Sequence, residues 1–211
     1  PRMVSMFAFS FGDISVTRIV EMEIPMLGAT EFFPDWDPRA VEAHTDWMVP
    51  RHFDPVSGKV VVNIQAFLIR TPHHTILVDT CVGNHKPRNR DMFNDQVFPW
   101  MDNFRAAGVT PEDIDFVLCT HMHVDHVGWN TKLEDGRWVP TFPNAKYIFS
   151  RTELDFWMQQ SEQDQLTRTG DYIADSVIPI LEAKRELIVD MDHAIEDGMT
   201  LEPLPGHTPG M

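Results

Sequence analysis

Positive charge is scarce in this chain. Lysine and arginine number 17 against 32 aspartates and glutamates, a formal charge of −15 over 211 residues. Such a surface repels phosphate backbones and anionic headgroups, which excludes nucleic acid and membrane surfaces as partners. Cysteine is rarer still, with only Cys81 and Cys119. Two cysteines make no disulfide framework. Both lie in apolar runs, Leu77–Val82 and Phe116–Cys119, and read as buried thiols. No run approaches the ~18 apolar residues of a membrane helix, and no signal peptide is visible. The sequence starts at Pro1, which leaves room for a removed secretion signal, and the compartment expected is the cytoplasm. Repeats and low-complexity tracts are missing. No serine sits in a G-x-S-x-G setting, and neither cysteine adjoins an obvious base, so the chemistry does not rest on a serine or cysteine nucleophile.

What is there suits a globular domain with a sizeable core. The hydrophobic fraction is 43% and the charged fraction 23%. Strand patterns cover Ile14–Val20, Val60–Arg70 and Thr75–Asp79, and Thr71-Pro72-His73-His74 reads as a hairpin turn between the last two. Residues 21–58 are rich in proline and aromatics without periodicity, and read as an irregular N-terminal loop or an arm that packs on a second copy in a homodimer. Residues 97–107 look helical. Thr110-Pro111-Glu112-Asp113 carries a helix-start pattern. A buried strand over Phe116–Thr120 leads straight into His121. Tyr147–Ser150 reads as a strand, Ser150 with Glu153 as a capping box, and Leu154, Trp157 and Met158 as one helical face. Polar residues 159–171 are expected to be exposed. Leu187–Val189 and Met199–Leu204 read as strands, with Asp190, Asp192 and His193 in an exposed loop between them. The pattern is that of a mixed α/β domain spanning residues 1–211.

The chemistry concentrates in Thr120-His121-Met122-His123-Val124-Asp125-His126-Val127-Gly128. Alternate residues at a strand end share a face, so His121 and His123 aim to one side. Asp125 and His126, opening a helix, aim back at nearly the same point. Imidazole and carboxylate are ligands that zinc, iron and manganese accept in hydrolytic sites. One chance histidine pair is unremarkable in a chain with ten histidines; four ligand types in six residues after an apolar strand point to a metal.

This H-x-H-x-D-H segment resembles the signature of the metallo-β-lactamase superfamily. Val78-Asp79-Thr80 resembles the family's early aspartate motif, and Gly206-His207-Thr208-Pro209-Gly210 its later G-H-T-P-G loop. The resemblance implies an αββα sandwich whose second half is incomplete here. It implies that His121, His123 and His207 bind a first metal, and Asp125 and His126 a second. Asp79 would orient a ligand or loop. The cofactor implied is zinc, one or two ions, with iron, manganese or cobalt as substitutes. The family's bridging aspartate and final histidine have no counterpart before Met211. A natural extension of roughly 50–90 residues is therefore expected, about what several strands and a helix need.

The function expected is metal-dependent hydrolysis, in which a metal-activated water attacks a lactone or ester carbonyl and Asp125 handles the proton. The N-terminal aromatics and Val82-Gly83-Asn84-His85-Lys86 resemble the branch of acyl-homoserine lactonases and organophosphate hydrolases. Phosphotriester, thioester and β-lactam hydrolysis are the alternatives on the same site. A di-iron redox protein and an inactive binding module are the non-hydrolytic ones. Phe32, Phe33, Trp36 and Trp47 are expected to form an apolar entrance for a small-molecule substrate, and Trp129 either lines the substrate pocket or packs in the core.

Overall fold

The computed structural model describes residues 7–159, 168–190 and 192–211. Runs of β-branched and aromatic residues build its main sheet. Strand β2 (Ile14–Gly28) pairs antiparallel with β4 (Lys59–Arg70), flanked by β1 (Ala8–Phe11) and β3 (Phe53–Asp54). The Thr71–His74 turn returns the chain into β5 (Thr75–Val78), as expected. Thr71 Oγ1 accepts from the N–H groups of His73 and His74, which fixes that turn. From β5 onward the pairing is parallel, through β6 (Phe116–Leu118), β9 (Lys146–Ser150) and β10 (Glu186–Val189). The eight-stranded sheet runs β1-β2-β4-β5-β6-β9-β10, with β3 on β4. Two hairpins stand apart from it: β7 (Thr131–Glu134) with β8 (Arg137–Pro140), and β11 (Ala194–Glu196) with β12 (Met199–Thr200).

The helices are short. Among the described residues they are α1 (Ala29–Phe32), α2 (Pro38–Ala43), α3 (Thr45–Met48), α4 (Trp100–Ala106), α5 (Arg151–Gln159), α6 (Tyr172–Ser176) and α7 (Ile178–Glu182). Most are below the length that is stable alone, so tertiary packing holds them. Leu68, Leu77 and Val117 from the sheet meet Trp100, Phe104 and Phe142 in one core, all fully buried. Each such side chain contributes roughly 1.5–3 kcal/mol by leaving water. Architecture and class agree with the mixed α/β expectation.

Several local expectations are corrected. Residues 21–28 are not irregular: they extend β2, with bulges at Val20/Met22 and Pro25/Leu27 that absorb the proline. Irregular structure holds only from about α1 to β3. The helix expected over 97–107 starts at Trp100. The Phe116–Thr120 strand stops at Leu118, and no α-helix follows the histidine motif; a turn closed by His126 N–H on the His123 carbonyl and a 3-10 turn at Gly128–Asn130 take its place. The strand at Met199 has two residues, not six. Leu154 and Trp157 are buried, but Met158 is exposed. Thr169 is buried rather than exposed, while residues 160–167 of that polar stretch lie outside the described residues.

One buried acid stitches this frame together. Glu21 on β2 accepts from the N–H groups of Val82 and Gly83, at 2.8 and 3.2 Å, and from the Trp129 indole at 2.8 Å. Burial lifts its pKa from the ordinary 4.5 to about 7, although the three donors pull it down. Glu21→Gln turns one acceptor into an NH2 group facing N–H donors. It should lower the unfolding free energy by about 1–3 kcal/mol, read by urea denaturation. The folded-state pKa lies above the unfolded one, so the native state holds the extra proton between about pH 4.5 and 7. The wild type's advantage over Glu21→Gln should therefore shrink as pH rises through that window.

Candidate metal centre

Three parallel strands deliver the site. β5 ends at Val78, β6 at Leu118 and β9 at Ser150, so the segments after them leave the sheet along one edge. Open α/β sheets gather ligands at the carboxyl ends of their strands.

Asp79 follows β5 in left-handed backbone, with φ 60°. Aspartate enters this region more readily than most residues. Its N–H donates to the Leu118 carbonyl at 2.8 Å. Its carboxylate accepts from the Thr120 N–H at 2.8 Å and from the Thr120 hydroxyl, and meets His126 Nδ1 at 2.8 Å. Thr80 grips the same loop, donating from its N–H and hydroxyl to the His126 carbonyl. Gly128 passes so near Val82 that a Cβ there would lie 1.9 Å from the Val82 carbonyl oxygen. Only glycine fits that approach. The loops after β5 and β6 thus form one unit, in which Asp79 contacts His126.

His121, His123 and His207 each offer a ring nitrogen, all within 4.8 Å of one another. His123 Nδ1 and His207 Nε2 are 2.9 Å apart. Burial, then the neighbouring imidazoles, push His121 down to about 2 and lower His123. Both are held uncharged, the form that binds metal. His121 carries the sharpest sign. Its Nδ1 meets the Thr120 hydroxyl at 3.1 Å, while its Nε2 is buried without a hydrogen-bond partner. Such an orphan costs about 1–3 kcal/mol. Three convergent imidazoles, two of them held uncharged and one with a buried free nitrogen, fit a zinc-like ion.

Asp125 and His126 adjoin this triad. The His126 ring lies 3.9 Å from that of His121, and its Nε2 is 3.6 Å from Asp125 Oδ2. Burial works to lower the His126 pKa, but the Asp79 hydrogen bond and the charges of Asp79 and Asp125 outweigh it and raise it. All five predicted ligands therefore gather in one place. Cys119 does not join them: it is buried and hydrogen-bonded to Asn130.

The aromatic expectations fare less well. Trp129 is in the core, 6% exposed, stacked on Trp100 and bonded to Glu21. A buried indole N–H needs such an acceptor, so Trp129 lines no entrance. Trp36 stacks on Phe33 and Phe53, and Trp47 is exposed beside His44 and His52. Of the aromatics expected at the entrance, Phe32 reaches the site. With Met26, Val62, Phe93 and Arg90 it lines a depression of about 200 Å³ that opens on His123 and Asp125. A recess of about 390 Å³ lies against His121 and His126, walled by Leu118, Val189, Leu201 and Leu204.

Sequence reasoning missed Glu153. It is 1% exposed, and its carboxyl accepts from the Met122 N–H at 2.8 Å, the Trp157 indole at 2.7 Å and the Gly210 N–H at 3.0 Å. The local pattern Ser150-x-x-Glu153 conceals this, because it reads equally well as a capping box.

Comparison with known proteins agrees with the geometry. Residues 60–211 match the family model of the metallo-beta-lactamase superfamily. Curated relatives include an N-acyl homoserine lactonase of a Bacillus species, 29% identical over 159 residues, and one of Bacillus thuringiensis, 26% identical over 166 residues. The matches cover 70% and 72% of this chain but 55% and 58% of those proteins, so the chain spans little more than half their length. Solved structures with the same fold include the hydrolase AbOPH, at TM-score 0.73 and 23% identity, covering all of this chain and 69% of that one. The dizinc quorum-quenching lactonase AidC aligns at TM-score 0.69 and 21% identity, covering 97% and 68%. With its histidine triad, its aspartate turn and well over half its length matched, the chain belongs to the metallo-beta-lactamase superfamily.

Proposed function

We propose that this protein is a zinc-dependent hydrolase that opens lactones or carboxylic esters. The observation that carries the reading is the buried, unpartnered Nε2 of His121 facing two further imidazoles, with Asp125 and His126 alongside. His121, His123 and His207 would hold a first ion, and Asp125 and His126 a second. Bound zinc supplies Lewis-acid chemistry, polarising a carbonyl and acidifying water. The remaining work falls to the chain itself. Asp125, on the rim of the depression, takes the proton of the attacking water on a carboxylate oxygen and passes it to the leaving alkoxide. Asp79 fixes the His126 ring through Nδ1, leaving Nε2 toward the centre. Phe32, Met26, Val62 and Phe93 form an apolar wall that suits an acyl chain, and Arg90 adds a donor for a carbonyl oxygen. The relatives named as N-acyl homoserine lactonases support the lactone over other acyl substrates.

A hydrolysis screen of zinc-loaded protein against lactones, aryl esters, thioesters, phosphotriesters and a cephalosporin tests this. Long-chain lactones should be turned over fastest; phosphotriesters outpacing every lactone would refute the substrate. Asp125→Asn should cut kcat about a hundredfold or more. His74→Ala should leave kcat unchanged, because His74 lies at the far end of β5 from Asp79 and pairs with Glu196. Equal losses from the two would undo the role given to Asp125. Phe32→Ala should raise KM about tenfold with little change in kcat, while Trp47→Ala should leave both alone.

A further inference from the structure

The geometry points to Glu153 as a positioning residue that sets the metal affinity of the histidine triad by locking two distant loops to each other. This rests on the proposed metal site and goes beyond it, since Glu153 is itself no ligand of the triad.

The case begins with where its oxygens go. Oε1 accepts from the N–H of Met122, the residue between His121 and His123. Oε2 accepts from the N–H of Gly210, three residues after His207. One rigid carboxyl group therefore joins the backbone that carries two of the histidines to the backbone that carries the third. The Trp157 indole also donates to Oε1 and pins the side chain from its own helix. Trp157 in turn lies edge-on to the His123 ring, with centroids 5.4 Å apart.

Among the described residues the His207 loop has few other hydrogen-bond ties. It closes on itself through Leu204 N–H to the Met211 carbonyl and Gly206 N–H to the Thr208 carbonyl. Its link to the sheet side is the close approach of Gly210 to α5. A Cβ at Gly210 would lie 2.2 Å from the Glu153 backbone nitrogen, which leaves room for glycine alone. His207 is the exposed member of the triad, so packing constrains it least. Without the clamp, bringing three imidazoles together would cost the loop's conformational freedom at the moment the ion binds. With it, that ordering is already complete.

A capping role for Glu153 explains none of this. Neither oxygen reaches the start of α5 for its own helix; both reach outward to other segments. Ser150, the other half of the apparent capping box, leaves its hydroxyl buried without a partner.

The test is zinc affinity, read by competition with a chromophoric chelator, on the full chain of the wild type, Glu153→Gln and Gly210→Ala. Glu153→Gln keeps the shape but turns one acceptor into an NH2 group against an N–H. Zinc affinity should fall about 10–100-fold, as for loss of other groups that orient ligands, and the rise in Tm on adding zinc should shrink in step. A merely structural role would lower the Tm of the zinc-free and zinc-loaded forms equally and leave zinc affinity at the wild-type value; that result overturns the proposal. If Glu153→Gln does not fold, Gly210→Ala attacks the same contact from the other loop, and wild-type affinity there overturns it likewise. Failure of the wild type to bind zinc would instead refute the metal-site reading itself, and this proposal with it.

Discussion

Everything at the site hangs on the grip of the Asp79 carboxylate on the segment after β6. It accepts from the Thr120 N–H and holds His126 by Nδ1, 47 residues away in sequence. The grip works only because β5 and β6 lie parallel and in register, Val78 opposite Leu118, so both chains leave the sheet at the same level. It also forces Asp79 into left-handed backbone, a strain of about 1–3 kcal/mol that the surrounding hydrogen bonds must outweigh. Thr80, Gly128 and Trp129 supply that surplus by lacing the two loops together backbone to backbone. Fold and site are therefore one construction: the sheet register sets the loops, and the loops set the imidazoles.

Glu21 and Glu153 repeat the device from two other directions. Each is buried, each accepts three hydrogen bonds, and each uses both oxygens to hold main chain from segments remote in sequence. Carboxyl oxygens suit this work, because loops that leave a sheet carry N–H groups with no strand to receive them. The three acids meet the needs of three different turns, and two of them, Asp79 and Glu153, bond directly to the segment that carries the histidine motif.

This explains how much of the protein was legible beforehand. Residues that carry chemistry in a dense local pattern, His121 to His126, could be read directly, as could Asp79 and His207 through their resemblance to family loops. The Thr71–His74 hairpin and the Thr110–Asp113 turn were legible because their hydrogen bonds are local. Pro25 hid the second half of β2, since a proline normally demotes a strand; the bulge beside it is a tertiary accommodation that no local rule predicts. Trp129, which the local pattern leaves open between pocket and core, and Glu153, which it assigns to a cap, escape local rules for a common reason. Each has an ordinary local meaning, pocket aromatic or helix cap, and each is claimed instead by a partner far off in the chain, Glu21 in one case and Gly210 in the other.

The charge pattern gives these placements a single electrostatic sense. Asp175, the buried acid away from the centre, is neutralised in the usual way, by Lys86 and a bidentate Arg88. Glu21, Asp79, Asp125 and Glu153 form no ion pair with lysine or arginine among the described residues. Their carboxyl groups are met instead by N–H donors and, for Asp79 and Asp125, by the His126 imidazole. An arrangement of acids without a cationic partner is costly for stability alone where they are buried. It is well suited to a divalent cation, whose charge dominates any site it enters and reverses the local preference of every ionisable group nearby. The acids that hold the loops thus stand beside a cluster in which burial keeps His121 and His123 uncharged, the form that a metal binds.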